Sequence, residues 1–268
     1  MNYVSTIAMA VVMLFVSQGE AVAQKIKGSK EIVTKTIDLD LTGVTAVEAH
    51  RSVEIEIVDK DNTDVVVSAN DNLMDFVDIR VSGQTLVATL SDALGSASRV
   101  KIKVLIPYNE LYNTFAVSSG SDIISSQYMR MPTLDIETKS AGKVKIDATV
   151  DNDCTIISES SSKVDLSLKI AGNCYVSALS SSSVRMGVSA NQLHIEASGS
   201  SKVDVDGNVE YLIVRTASSA SYDGEFLKAQ NGDLNATSSS KIVYFGVNNF
   251  VTNTASSGTI TNTKFLNE

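Results

Sequence analysis

The sequence predicts an all-β protein built as a parallel β-helix, or β-solenoid, with coils of about 20 residues and an N-terminal β-rich cap. Two observations support this fold class. Short Ser-rich patches recur at nearly constant spacing through the second half of the chain. Apolar residues keep a similar phase relative to each patch and alternate with polar ones, which is typical of strands that have one buried face.

Composition excludes several classes of protein. The chain has 268 residues, 43% of them hydrophobic, and a formal net charge of −9. The apolar fraction is too high for a disordered chain. The acidic balance, without a basic run, argues against a nucleic-acid partner. Two Cys cannot form a disulfide-rich scaffold or a Cys-based structural zinc site.

The first segment resembles a secretory signal. Residues 4–16 form an apolar stretch that is shorter than the roughly 20 residues of a transmembrane helix. Ala21 and Ala23 occupy the −3 and −1 positions of a cleavage site after Ala23. We therefore predict a signal peptide at 1–23, with an N-terminal membrane anchor as the alternative. No Cys near the cleavage site offers a lipid anchor. The expected location is periplasmic, secreted or at the cell surface, without stable membrane insertion.

Residues 24–114 are predicted to be an N-terminal β-strand region that caps the solenoid. The runs between residues 31 and 107 alternate in polarity and are separated by turn signals at 59–62, 70–72 and 82–83. This part either starts the solenoid or packs as a β-sandwich-like cap at its end. A polar tail at 263–268 is expected to close the other end.

Residues 115–262 are predicted to form the solenoid coils. One reference residue in each Ser-rich patch defines a repeat of 18 to 21 residues, which suits one β-coil but is too short for a pair of helices. Positions two after and six before the reference are mainly apolar, whereas positions one and three after it are mainly polar. The reference residues are Ser121, Gly142, Ser162, Ser182, Ser201, Ala220, Ser240 and Gly258.

The Ser-rich patches are interpreted as tight corners between strands. The residues two before each reference lie at an even offset, so we expect them to point inward, where their hydroxyls would stack. A row of nucleophiles or O-glycosylation sites is the rival interpretation, but no base stands beside the row. These residues are Ser119, Ser140, Ser160, Ser180, Gly199, Ser218, Ser238 and Ser256.

Cys154 and Cys174 occupy the same position in adjacent coils, so we expect them to be neighbours in the core. The separation of adjacent strands would permit a disulfide, and export would favour one. We favour two buried free thiols, because side chains stacked in parallel register point the same way and strain a bridge.

Outward-facing side chains supply the candidate binding face. The position three after the reference carries charged residues in five consecutive coils, and an ion-pair ladder down this column would contribute little stability. Tyr175 and His194 form an aromatic pair one coil apart. Ordinary solvation is the alternative explanation for each residue. The charged residues are Lys145, Asp165, Arg185, Asp204 and Asp223.

The order of motifs in residues 41–90 resembles a known family. An apolar V-x-x-V opening (Val44–Val47) precedes an I-x-I strand, an acidic turn, a V-x-V strand and a G-x-x-L-x-x-x-L strand, and Ser/Gly-punctuated β-coils follow. This is similar to the auto-transporter adhesin head domain family, or GIN domain, of Bacteroidetes, over residues 35–262. The resemblance implies a right-handed parallel β-helix and an exported envelope protein. It supplies no catalytic residues.

The predicted function is an exported, adhesin-like binding module of the cell envelope, without catalytic activity, cofactor or metal. Its partner is an unknown protein or glycan. One alternative is a polysaccharide lyase or hydrolase, for which Asp165, Arg185, Asp204 and Asp223 are the best constellation. Another is a periplasmic structural scaffold. Neither His50 nor His194 belongs to a metal-binding motif.

Overall fold

The computed structural model describes residues 26–59, 61, 64–246 and 249–263. The predicted signal peptide at 1–23 and nearly all of the predicted tail, residues 264–268, lie outside this range. Strands make up 64% of the chain and helix 4%, and the strands form a β-solenoid of about 7 turns with coils of about 20 residues. The predicted fold class is confirmed.

Each coil contributes to two parallel ladders. We call the strand segments that lead into the Ser-rich corner the entry ladder, and those that leave it the exit ladder. The solenoid strands are β10 (Thr114–Val117), β11 (Asp122–Met131), β12 (Leu134–Thr138), β13 (Lys143–Val150), β14 (Cys154–Ser158), β15 (Lys163–Ile170), β16 (Asn173–Ala178), β17 (Ser183–Ala197), β18 (Lys202–Thr216), β19 (Ser221–Ala236), β20 (Lys241–Gly246), β21 (Phe250–Thr254) and β22 (Thr259–Asn262).

The apolar columns fill one continuous core. Val144, Val164 and Val184 are paired in register on the exit ladder and fully or almost fully buried. Ile156 and Val176 are paired on the entry ladder and have no exposed surface. Because the side chains alternate in and out along each strand, every coil buries its apolar residues against those of the next coil.

The Ser-rich corners differ from the prediction. Two consecutive residues of each corner adopt left-handed backbone conformations, for example Ser160 (φ 55°) and Ser161 (φ 65°). These two residues turn the chain outward, so that Ser160 and its equivalents are solvent-exposed, apart from the half-buried Gly199. The inward orientation expected for this row is therefore wrong, because strict alternation holds only while the backbone stays extended.

Backbone hydrogen bonds join the corners of successive coils. The N–H of Ser161 donates to the Ser180 carbonyl at 3.2 Å, and the N–H of Ser181 donates to the Gly199 carbonyl at 2.9 Å. The left-handed conformation is uncommon for residues other than Gly, Asn and Asp. Small side chains at this corner project into solvent. The free-energy cost of the left-handed conformation is offset by the backbone hydrogen bond that each corner gains from its neighbour.

Buried hydroxyls lie at other positions of the corner. The Ser162 hydroxyl contacts Ser158 and Thr138, each at 2.9 Å, and Thr138 donates to Ser158 at 3.0 Å. In a later coil, the hydroxyls of Thr216 and Ser240 lie 2.8 Å apart. Stacked hydroxyls thus exist inside the core, but the reference residue and the residue four before it supply them.

Cys154 and Cys174 are register partners on β14 and β16, and both are buried free thiols. This agrees with the predicted proximity and with the favoured unbridged state. The hydrogen bond with Cys174 and the loss of solvent raise the pKa of the Cys154 thiol well above its ordinary value. The Cys154 thiol is therefore not a reactive group at neutral pH.

The N-terminal region extends both ladders and then closes them. Its strands are β1 (Ile26–Lys27), β2 (Ile32–Ile37), β3 (Ala46–Ala49), β4 (Glu54–Val58), β5 (Val65–Asn70), β6 (Val77–Ser82), β7 (Thr85–Leu90), β8 (Ala97–Ser98) and β9 (Ile102–Pro107). Two short 3₁₀ helices span Asp71–Phe76 and Asp92–Leu94.

The order of strands in the stack differs from their order in the chain. β3 and β4 form a coil that pairs with β10 and β11 on one side and with β7 and β9 on the other, all in parallel. β6 then pairs antiparallel with β7, and β5 lies antiparallel to both β9 and β2. Residues after β4 thus return beneath it and close the end of the solenoid.

The last described coil is covered on one side. β21 pairs with β19, and β22 pairs with β20, and these are their only strand partners among the described residues. Thr252 of β21 is exposed and Ile260 of β22 is half-buried, whereas their register partners in the preceding coil, Leu234 and Ile242, are fully buried. The apolar columns therefore lose burial toward this end.

Candidate binding surfaces

The exit ladder places the five predicted charged residues in one outward column. Register pairing runs from Lys145 to Asp165, then to Arg185, Asp204 and Asp223, with one residue on each of five adjacent strands. Adjacent strands lie about 4.8 Å apart, so the column is roughly 20 Å long. Ile124 precedes Lys145 in register and Val243 follows Asp223, so the uninterrupted run of charges ends at these two residues.

The expected ion-pair ladder is not formed. Lys202 donates to Asp204 at 3.0 Å, but these two residues lie on the same strand, β18. Within the described part of the chain, Lys145, Asp165 and Arg185 have no ion-pair partner within 4.0 Å. Their side chains extend into solvent side by side, so their charges are available to a ligand.

A groove of about 270 Å³ lies at the C-terminal end of this column. Sequence reasoning missed its most prominent residue, Phe226, whose side chain is 77% exposed. The groove is lined by Arg185, Lys202, Asp204, Val205, Asp206, Asp223 and Phe226.

A β-bulge produces the exposure of Phe226. Asp204 pairs with Asp223, but Asp206 pairs with Phe226, so β19 uses one more residue than β18 over this step. On the other side, β20 pairs with Gly224 and next with Lys228, which leaves Phe226 without a partner there. The sequence signal was Gly224, which interrupts an otherwise mainly apolar column.

Tyr175 and His194 form a separate cluster on the entry ladder. Their rings are register neighbours and pack edge to face, with centroids 5.2 Å apart. The Tyr175 hydroxyl donates to Glu196 Oε2 at 3.1 Å, and Arg215 Nη1 lies 2.9 Å from His194 Nε2. Glu196 and Arg215, which sequence reasoning did not single out, complete this cluster.

Burial and the Arg215 charge hold His194 in its neutral form. Loss of solvent is the larger cause of its lowered pKa, Arg215 acts in the same direction, and Glu196 opposes both. Glu196 Oε1 also lies 3.4 Å from His194 Nε2, which would favour a protonated ring. Because a guanidinium can only donate, the shorter Arg215 contact requires Nε2 to accept, in agreement with the lowered pKa.

The candidate residues therefore form two surfaces and not one. Tyr175 and His194 precede the Ser-rich corners of their coils, whereas Arg185 and Asp204 follow them. The described residues contain no group of three or more His, Cys, Asp and Glu side chains that could hold a metal ion. Nor does any helix in this part of the chain have the length and apolar character to cross a membrane.

Comparison with known proteins agrees with the fold. A structure of a "putative adhesin" from Parabacteroides merdae is 15% identical, with a TM-score of 0.74, and the match covers 89% of this chain and 98% of that one. A "putative lipid binding protein" from Parabacteroides distasonis is 17% identical, with a TM-score of 0.74 and coverage of 89% and 99%. A "putative adhesin" from Bacteroides fragilis is 19% identical, with a TM-score of 0.58 and coverage of 88% and 99%.

No curated protein matches the chain. A family model does match it, over residues 43–169 and 154–264, and the family is described as "Putative auto-transporter adhesin, head GIN domain". The two matches together span the coil of β3 and β4, the closing strands and the solenoid. The chain belongs to the auto-transporter adhesin head GIN domain family, as the motifs of residues 41–90 indicated.

Proposed function

We propose that this protein is an exported, adhesin-like binding module that holds a protein or glycan of the cell envelope without transforming it. Membership of an adhesin family supports the binding role. The observation that carries the proposal is the outward column on the exit ladder, in which Lys145, Asp165 and Arg185 stand in register and form no ion pair with any other described residue.

The solenoid suits this role because it holds these groups in fixed positions. Lys145 and Arg185 project from strands whose opposite faces, at Val144 and Val184, are fully buried. A ligand that spans several coils therefore meets side chains whose backbone is already ordered, and it loses less free energy on binding. Alternating charge along the column also favours one register of the partner over others.

The arrangement of the carboxylates favours binding over cleavage. Asp204 and Asp223 are side by side on adjacent strands of one ladder. A glycosidase places its two carboxylates on opposite sides of the scissile bond, with the sugar between them. A single row on one face offers no such opposition, so the lyase or hydrolase is the second candidate.

The test is retention and turnover on a panel of host and bacterial glycans and envelope proteins, with and without Ca²⁺. We expect retention without cleavage products. The double variant Lys145→Glu/Arg185→Glu should lose retention, because it reverses two charges of the column. Lys169→Glu is the matched control, since Lys169 is exposed on β15 outside the column.

Cleavage products would contradict the proposal and direct attention to Asp204 and Asp223 as catalytic groups. Retention that persists in the double variant would show that the binding surface lies outside the charged column of the exit ladder. Failure of every glycan and envelope protein to be retained would favour the structural scaffold.

A further inference from the structure

We propose that the groove around Phe226 is a subsite for one neutral pyranose sugar, which stacks on the Phe226 ring and hydrogen-bonds to Arg185, Asp204 and Asp223. This inference rests on the proposed function, because it names the class of ligand that binds at one end of the charged column on the exit ladder. The argument uses the exposure of the ring, the construction of the bulge, the polar groups and the charge of the lining.

The exposure of Phe226 is the first step. Most large apolar side chains on this ladder are directed inward, as Val203, Val205 and Tyr222 are. Phe226 instead leaves 77% of its side chain in water, beside a concave surface. An exposed aromatic ring next to polar groups has the amphipathic character of a ligand site.

The bulge that presents Phe226 is held by specific contacts. The Tyr222 ring is buried beneath Gly224, and a Cβ at Gly224 would collide with the Tyr222 hydroxyl. The backbone N–H of Glu225 donates to Asp223 Oδ1 at 3.2 Å. The same bulge thus exposes the ring and orients one of the neighbouring carboxylates.

The polar groups match the needs of sugar hydroxyls. Each hydroxyl can donate once and accept twice, so a sugar is best bound by carboxylates and cations together. Asp204 is held by Lys202 at 3.0 Å and keeps only 23% of its side chain exposed, while Asp223 and Arg185 flank it in the column. The carboxylates accept from the sugar, Arg185 donates to it, and the ring covers its C–H face.

The charge and size of the lining select the kind of sugar. Three carboxylates, on Asp204, Asp206 and Asp223, outnumber the two cations on Arg185 and Lys202. The resulting excess of negative charge disfavours uronic, sialic and sulfated sugars. A volume of about 270 Å³ lies below the roughly 300–1,000 Å³ of pockets for drug-sized ligands, so it suits a single ring.

The experiment is a titration of the full-length protein by NMR, observing the Phe226 ring resonances and saturation transfer to the sugar. The neutral probes are methyl β-glucoside, methyl β-galactoside and N-acetylglucosamine, and the acidic probe is glucuronic acid. We expect at least one neutral probe to shift the Phe226 resonances and to bind more tightly than glucuronic acid does.

Phe226→Ala should weaken binding of that probe about tenfold, a factor that corresponds to roughly 1.4 kcal/mol. Tyr128→Ala is the matched control, because Tyr128 also lies on the exit ladder and is 57% exposed, but outside the groove. It should leave the affinity unchanged. A thermal melt of each variant verifies that the fold is intact.

The inference is overturned if no neutral probe shifts the Phe226 resonances, if glucuronic acid binds more tightly, or if Phe226→Ala binds as well as the parent protein does. These outcomes differ from failure of the proposed function. Loss of envelope-partner retention in Lys145→Glu/Arg185→Glu, with no response at Phe226, would leave the adhesin-like role in place and remove only the sugar subsite.

Discussion

At the scale of single residues, the corner explains why Ser recurs in this chain. Ser160 and Ser161 both have positive φ, and their hydroxyls face solvent. The recurrence was visible in the sequence, but the left-handed conformation was not, because Ser is not among the residues that favour it. Counting offsets through the corner as though it were extended strand therefore assigned the wrong row of residues to the interior.

Substitutions at Ser161 should separate conformational strain from side-chain chemistry. We expect Ser161→Gly to change the free energy of unfolding by less than about 1 kcal/mol, because relief of strain is offset by greater freedom in the unfolded chain. Ser161→Val should cost about 1–3 kcal/mol, since a β-branched residue is disfavoured at positive φ. Urea denaturation measures both; equal stability of the two variants would contradict the strain argument.

The entry-ladder cluster should make stability depend on pH. Because the folded state lowers the pKa of His194 below its ordinary value of 6.5, the unfolded chain binds this proton more readily. Stability from this group is therefore present above about pH 6.5 and is lost as pH falls through the window between 6.5 and the lowered pKa.

Thermal melts between pH 5 and 8 measure this dependence. His194→Gln should flatten the profile, because Gln does not titrate and its amide oxygen can still accept from Arg215. An unchanged profile in the variant would show that other groups cause the dependence. His50→Gln is the control, since His50 lies in the corner region beside β3 and away from this cluster.

At the scale of the strand, the alternation of polar and apolar residues predicts side-chain orientation correctly, but it does not predict where a β-bulge interrupts a strand. The side chains of β15 alternate strictly between exposed and buried from Lys163 to Ile170, as the sequence predicts. The bulge in β19 breaks this order, and only Gly224 marked it in advance. Phe226 was therefore missed, because alternation along one strand does not show how many residues the neighbouring strand uses.

Two substitutions on either side of one corner, on β14 and β15, test the assignment of inside and outside. Ile156→Asp should unfold the chain, because it places an unpaired charge where Ile156 has no exposed surface. Asp165→Ala should change stability by less than about 0.5 kcal/mol, because Asp165 is exposed and has no ion-pair partner among the described residues. Circular dichroism and denaturation would contradict the assignment if the two effects were reversed.

At the scale of the whole molecule, the first coil explains why the repeat pattern did not predict the arrangement of the N-terminal strands. Val47, Ile55 and the left-handed pair Arg51–Ser52 repeat the pattern of the later corners. The repeat pattern does not reveal this coil, because its corner lacks the Ser-rich patch. The closing strands also separate it in the chain from the next coil. The sequence left open whether this region starts the solenoid or packs at its end, and in the structure β3 and β4 form a coil with parallel partners on both sides.

Protection from hydrogen exchange should decline toward the C-terminal end of the stack. The amides of β14 and β16 lie between coils on both sides, whereas β21 and β22 are paired on one side within the described residues. We therefore expect amides of β21 and β22 to exchange fastest among the solenoid strands. Uniform protection along the stack would indicate that the solenoid opens only as a single unit.

The placement of β3 and β4 between strands that come later in the chain has a consequence for biosynthesis. These two strands leave the ribosome before their partners do, because the partners lie in residues 85–107 on one side and in residues 114–125 on the other. Both edges of the first coil therefore stay open during this interval, when they are vulnerable to pairing with other nascent chains. A chain interrupted after β4 lacks the strands that cover those edges, so a piece in which both edges of the first coil are paired must include β11.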